Sequence, residues 1–223
     1  MKRFLFLAVL LSSFATYSVQ AQGIGVHVGP KLGLALSAFD GQLNAKTFWR
    51  SGFSGGLMMR CRSSERFAIQ PEILYVQQGT GSGVSPSSSK ADYEVKLNYL
   101  QVPIMLKIYI GSMVNVQFGP QAGLLLSGRQ EGTVGSTGTG TAVTVDTDVK
   151  KDYYDVDVSV SGGLGLDLHN GLLASVRYNY GFVDINNNRD QADLRKALHL
   201  GGLHNRGFEF SVGYLIGAAK DKE

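Results

Sequence analysis

The sequence predicts an all-β fold: an eight-stranded antiparallel up-and-down transmembrane β-barrel with short periplasmic turns and long extracellular loops. Three observations carry this. Eight segments alternate apolar and polar residues one for one, which is the period of a strand. The connections between them run long, short, long, short, long, short, long, as they do in outer-membrane barrels. In front stands an export signal, with Lys2 and Arg3, the apolar run Phe4 to Leu11, and a small-residue site at Val19-Gln20-Ala21. Residues 1–21 therefore read as a signal peptide and 22–223 as a single outer-membrane barrel domain.

Each segment is justified by its two faces. The first, Val26 to Ser37, sets Val26, Val28, Leu32, Leu34 and Leu36 against His27, Lys31 and Ser37. In the second, Phe53 to Arg62, Phe53, Leu57, Met59 and Cys61 oppose Ser54, Met58, Arg60 and Arg62. The third, Phe67 to Gln77, turns Ile69, Ile73 and Tyr75 outward and Gln70 and Glu72 inward. The fourth, Tyr93 to Ile108, changes phase: Val95, Leu97 and Tyr99 are apolar on odd positions, then Leu100, Val102, Ile104, Leu106 and Ile108 on even ones. A β-bulge shifts phase in this way, and so does a strand whose early part stands above the membrane, where neither face need be apolar.

The fifth segment, Val114 to Ser127, places Val116, Phe118, Ala122, Leu124 and Leu126 opposite Asn115, Gln117, Gln121 and Ser127. The sixth, Tyr154 to Leu168, opposes six Val and Leu residues to Asp155, Asp157, Ser159, Ser161 and Asp167. In the seventh, Leu172 to Val183, Ala174, Val176, Tyr178, Tyr180 and Phe182 oppose Ser175, Arg177 and Asn179. The eighth carries Phe208, Phe210, Val212, Tyr214 and Ile216 on one face and Glu209, Ser211 and Gly213 on the other. Segments of this length cross a bilayer at a tilt, which takes about 9–11 residues. A soluble calycin-like barrel, with the apolar face turned inward, is the structural rival.

The short connections are Ser63 to Arg66, Tyr109 to Met113, and His169-Asn170-Gly171, where Asn-Gly is a hairpin signal because both residues tolerate positive φ. The stretches Asp40 to Arg50, Gly79 to Asp92, Gly128 to Asp152 and Asp184 to Arg206 read as loops. The last of these contains a helix-like patch, Gln191 to Leu200, with Leu194, Ala197 and Leu198 loosely on one side; a continuation of the strands fits it equally. The 29 glycines and five prolines suit strands and turns. The one cysteine, Cys61, has no intramolecular disulfide partner. Taking Lys2 and Arg3 from a formal charge of +3 leaves +1, which gives no basis for a nucleic-acid partner.

Several segments together resemble the PorT-like outer-membrane barrels of Bacteroidetes: Pro71-Glu72-Ile73-Leu74-Tyr75 through Gln78-Gly79, Tyr99-Leu100-Gln101-Val102-Pro103 through Lys107, Gly119-Pro120, and Arg177-Tyr178-Asn179-Tyr180-Gly181. The resemblance implies an eight-stranded barrel in the outer membrane of a Gram-negative bacterium. It also implies lipid and envelope or secretion-machinery proteins as partners, since one family member is associated with protein secretion. The chain departs from the common pattern of such barrels at its end, where Ala218 to Glu223 follows Ile216.

Lys31, Arg60, Glu72, Lys107, Asp157, Asp167, Arg177 and Glu209 fall on the polar faces and converge on the lumen. Eight strands leave an interior barely wide enough for side chains, so these charges read as a paired structural network, with a proton or ion path as the alternative. Glu209, on the neighbouring strand, is the first candidate partner for Arg177; Glu72 could reach it across the interior. His27, His169, His199 and His204 stand in no catalytic motif, and no cofactor or metal is implied. Asp184 to Asp190 has oxygen ligands at alternate positions but lacks the glycine and final glutamate of a calcium loop. The expected function is a non-enzymatic structural or envelope-interaction component. A ligand-binding or small-solute conduit is the second reading and an embedded lipid hydrolase the third.

Overall fold

A computed structural model describes residues 25–41, 47–84, 89–136, 142–199 and 201–216. The signal peptide and the Ala218–Glu223 tail lie outside the described residues. Ten strands follow in order: β1 (Gly25–Asp40), β2 (Thr47–Phe48), β3 (Arg50–Arg62), β4 (Phe67–Val84), β5 (Ser89–Ile110), β6 (Val114–Ser136), β7 (Ala142–Asp148), β8 (Val156–Asp167), β9 (Leu172–Gly181) and β10 (His204–Tyr214). Helix α1 (Arg189–Ala197) lies between β9 and β10. Eight of the strands close an antiparallel ring, β1-β3-β4-β5-β6-β8-β9-β10, which β1 completes by pairing with β10 from Lys31↔Gly213 to Asp40↔His204. No helix among the described residues is long and apolar enough to cross a membrane.

The faces follow the alternation. Along β8, Val156, Val158, Val160, Leu164 and Leu166 are exposed on the outer wall, while Asp157, Ser159, Ser161 and Asp167 are buried inside. The same inversion of a soluble core holds around the ring, with Leu32, Leu57, Ile73, Val102, Phe118, Val176 and Phe210 all outward. Aromatic side chains cluster toward the long-loop end of this band, where the Phe208 ring lies 5.0 Å from that of Tyr178 and 5.8 Å from that of Trp49. Such girdles mark the level of the lipid headgroups.

Three of the expected loops hold more strand than their sequences suggest. β4 runs on to Val84, β5 starts at Ser89, β6 continues to Ser136 with β7 paired along it, and β2 pairs with Gly81 and Ser82 of β4. With 22 and 23 residues, β5 and β6 have about twice the length a crossing needs, so the surplus forms a sheet standing above the barrel. Outside lipid the backbone ladder is joined by cross-strand pairs such as Lys96–Glu131 at 2.6 Å and Arg129–Asp146 at 3.1 Å, and the alternation that reveals a strand is not demanded. The helix-like patch is indeed a helix, shifted to Arg189–Ala197 and capped by Asn188, whose side chain accepts from Gln191 N at 3.3 Å. Its apolar side is not the buried one: Leu194 and Leu198 are exposed and Arg195 is buried.

The phase change in the fourth segment has a different origin from either expectation alone. A register shift does occur at Asn98/Tyr99, but the residue left over is Leu126 on β6, since Asn98 pairs Ser127 and Tyr99 pairs Leu125. On β5 itself the odd residues Leu97, Tyr99, Gln101, Met105 and Lys107 all point inward. Only the polarity of the lumen changes, from polar to apolar, toward the long-loop end. The third hairpin also differs in detail. Gly171 takes φ +90° while Asn170 does not take positive φ, and Gly171 N donates to Leu168 O at 3.1 Å. The loop has the three residues expected, His169 to Gly171, and only its glycine is left-handed.

Val160→Arg, in the central part of β8, is expected to cost about 2–4 kcal/mol in unfolding titrations in lipid. Ser161→Ala, which removes a buried hydroxyl that has no hydrogen-bond partner, should cost close to nothing. Equal costs at the two positions would reverse the assigned faces.

Candidate functional site

The eight charges picked out by alternation all lie inside the ring, none more than 7 % exposed. Each sits on an inward position of its strand, and the ring brings them together at three levels.

At the middle level, Arg177 on β9 donates through Nη1 to Glu72 Oε2 at 2.8 Å and through Nη2 to Glu72 Oε1 at 2.6 Å. β9 and β4 are opposite in the ring, with three strands between them either way round, so this fork crosses the full lumen. Lys31 Nζ joins Glu72 Oε2 at 2.8 Å to Glu209 Oε1 at 2.6 Å. Gln117 accepts from Arg177 Nε at 2.9 Å, and Gln70 donates to Glu72 at 2.7 Å. Glu209 does face Arg177 in the ladder, but the direct partner of Arg177 is Glu72. Lys31, on the strand flanking β10 from the other side, engages Glu209 instead.

Toward the short turns, Asp167 on β8 gathers donors from several strands. Lys107 Nζ lies 3.0 Å and Arg60 Nη1 3.3 Å from its Oδ2, the Tyr109 hydroxyl donates to Oδ2 at 2.7 Å, and Asn115 Nδ2 donates to Oδ1 at 3.2 Å. Arg60 again reaches across the whole ring, from β3 to the opposite β8. Tyr109 and Asn115 were missed as site residues in the sequence. Tyr109 stands where β5 meets its turn, although its odd number continues the inward row of Gln101, Met105 and Lys107.

At the third level, toward the long loops, Asp157 Oδ2 accepts from Asn205 Nδ2 at 2.8 Å, and the same Nδ2 lies 3.4 Å from the Tyr99 hydroxyl. Above this level an apolar cap closes the mouth, made of Phe39, Leu97, Tyr99, Leu125, Ile185 and Leu203. Ile185 and Leu203 come from the β9–β10 connection, which folds inward: Ile185 N donates to Leu203 O, and Leu203 N to Asp184 Oδ1, both at 2.9 Å. Tyr153 packs against the cap, and burial pushes its hydroxyl pKa up to about 12.

Charge is therefore matched unevenly by depth. Among the described residues of the ring, the middle holds two cations and two anions, the short-turn level two cations against Asp167, and the upper level below the cap Asp157 alone. Asp157 and Asp167 are ten residues apart on β8, about 33 Å at the strand rise. Over that distance a charge is worth about 0.5 kcal/mol at an effective dielectric of 20, against about 4 at contact.

The other candidates do not form sites. In the calcium-like stretch, Asp184 Oδ1 accepts from Asn186 N, Asn186 Oδ1 from Asn188 N, and Asn188 Oδ1 from Gln191 N, so these oxygens cap local backbone. Among the described residues no three His, Cys, Asp or Glu gather as metal ligands would. The four histidines are dispersed: His27 is inside β1, His169 is in a turn, His199 follows α1, and His204 Nδ1 lies 3.1 Å from Val183 O. A depression of about 720 Å³ is lined chiefly by outer-wall residues such as Leu32, Leu34, Phe53, Leu164 and Phe210.

Residues 20–187 match the family described as outer membrane protein beta-barrel domain. The matched segment holds seven of the ring strands, and β10 closes the ring beyond it. Among solved structures, the chain is similar to Ail, the attachment invasion locus protein of Yersinia pestis, at 14% identity over 85% of this chain and 98% of that one, with a TM-score of 0.44. Neisserial surface protein A gives 12% identity over 85% and 98%, with a TM-score of 0.47. OprG from Pseudomonas aeruginosa gives 13% over 86% and 94%, with a TM-score of 0.31. No curated protein matches the chain.

Glu72→Gln is expected to cost about 3–5 kcal/mol, because it leaves the buried Arg177 without its anion, and Arg177→Met less, because Lys31 still pairs with Glu72; the double variant should cost less than their sum. Unfolding of the refolded barrel in detergent measures the cycle. Strict additivity would show that the fork across the lumen contributes no coupling.

Proposed function

The chain belongs to the outer membrane protein beta-barrel domain family and resides in the outer membrane, and we propose that it acts there as a closed, non-enzymatic barrel whose working surface is the sheet above the membrane. The observation that carries this reading is the filled lumen. Lys31, Met58, Tyr99, Lys107 and Arg177 are all at 2 % exposure or less, and the cap lies over them. A lumen so packed favours a closed barrel over a solute conduit. Met58, Leu173 and Leu215 add an apolar cluster toward the other end.

With the interior filled and the outer wall facing lipid, the rim is what remains to meet a partner. β7 pairs only with β6 among the described residues, so its other edge offers free backbone groups. Such an edge accepts an extended segment of another chain by strand addition. On the resemblance to PorT-like barrels, we assign the partner to envelope or secretion-machinery proteins, and the role to assisting secretion.

In planar bilayers the purified barrel is expected to carry no stepwise current, and replacing Ala142–Asp148 by a Gly/Ser linker should leave it folded while abolishing its cross-links to envelope proteins in cells. Discrete conductance steps would reject the closed barrel. Unchanged cross-links would reject the edge as the contact.

A further inference from the structure

Asp157 is buried to 2 % exposure, and no Lys or Arg stands within ion-pair distance of it among the described residues. The groups acting on its carboxylate are the neutral Asn205 amide, His204 and the Val158 backbone N–H, none of them a fixed cation. Its Oδ1 has no side-chain donor. A buried carboxylate in that position needs a counter-charge or must give up its own.

The strand register shows which groups border the carboxylate. Leu74, Gln101, Gly123 and Asp157 form one row across β4, β5, β6 and β8. Gly123 brings no side chain between its two neighbours: a Cβ built there would stand 3.4 Å from the Tyr99 ring, 3.5 Å from Gln101 Cγ and 3.8 Å from Asp157 Cβ. On the far side of Asp157, a Cβ on Gly181 would stand 3.4 Å from Oδ1. Gln101 Oε1 and Asn205 Oδ1 are likewise without donors, on residues 1 % and 4 % exposed. The Asn205 amide is oriented by its bond to Asp157, which leaves its oxygen as an acceptor. Asp157 Oδ1, Gln101 Oε1 and Asn205 Oδ1 are thus three buried acceptor oxygens without a side-chain donor, on neighbouring positions of the interior.

We infer that Asp157, Gln101 and Asn205 form a binding site for one monovalent alkali cation beneath the apolar cap. Asp157 supplies the charge and the two amide oxygens the neutral ligands. Hard oxygen donors select hard cations, and a single carboxylate balances a single positive charge, whereas a divalent ion would leave a surplus charge buried. The site does not depend on the role proposed for the rim.

The test is thermal unfolding of the refolded barrel in detergent at about pH 8, in sodium or potassium chloride against choline chloride at equal ionic strength. At a hundredfold excess over Kd, the alkali salts should raise Tm by about 5–11 °C relative to choline. Asp157→Asn should fold and melt alike in all three salts, and Gln101→Met should need more cation for the same rise. Equal melting of the native chain in choline and alkali salts would overturn the site, leaving Asp157 hydrated or protonated. A rise that survives Asp157→Asn, or one given by calcium and not by sodium or potassium, would overturn it too. Where Asp157→Asn does not fold, the cation dependence of Gln101→Met decides: displaced supports the site, unchanged overturns it.

Discussion

The fork between Arg177 and Glu72 is the contact on which the rest of the interior depends. Its two charges come from opposite strands of the ring, so it sets a side-chain distance across the lumen as well as neutralising both ends. Arg60 to Asp167 and Asn205 to Tyr99 span opposite strands in the same manner, one toward each end. Three cross-lumen contacts at three depths brace a cylinder whose wall is held by backbone ladders. The wall could not be otherwise, because in lipid every peptide group must find its partner within the sheet. Closure of the ring and filling of its interior are therefore one problem, and eight strands leave room for side chains and little else.

Much of this was legible before any coordinate. Alternation alone sent Lys31, Glu72, Arg177 and Glu209 inward and Leu32, Val176 and Phe210 outward, because lipid on one side and packed polar groups on the other enforce a period of two. The pairing was not legible. Glu209 is the ladder neighbour of Arg177, and choosing Glu72 over it requires knowing that β4 stands across from β9 and that Lys31 approaches Glu209 from β1. Sequence spacing has no term for a distance across a ring.

The two other failures have one cause. Val95, Leu97 and Tyr99 look like outward residues out of phase, yet Leu97 and Tyr99 point inward, into a cap the sequence did not announce. The cap exists because the β9–β10 connection folds back and delivers Ile185 and Leu203 to the mouth, a contact between residues far apart in the chain. Above the lipid, the stretches leading to Val84 and Ser136 keep their ladders while their side chains lose the alternating pattern. The rule that reveals a barrel strand is a rule about solvent on each face, and it stops where the membrane stops.

This also bears on why the interior is charged at all. Replacing a buried ion network by well-packed apolar side chains is commonly neutral or stabilising, so stability alone does not account for eight buried charges. Specificity of face does. A strand slipped by one residue exchanges its two sides completely. In this chain such a slip of β9 would carry Arg177 to the lipid face, and a slip of β1 would do the same to Lys31, at about 2–4 kcal/mol for each near the midplane. With an apolar lumen the two registers would differ little, since both faces of every strand would suit lipid. The polar row inside makes only one of them tolerable. On this argument the network acts before folding is finished: it gives each strand an inside, and the cross-lumen pairs then hold the ring that results.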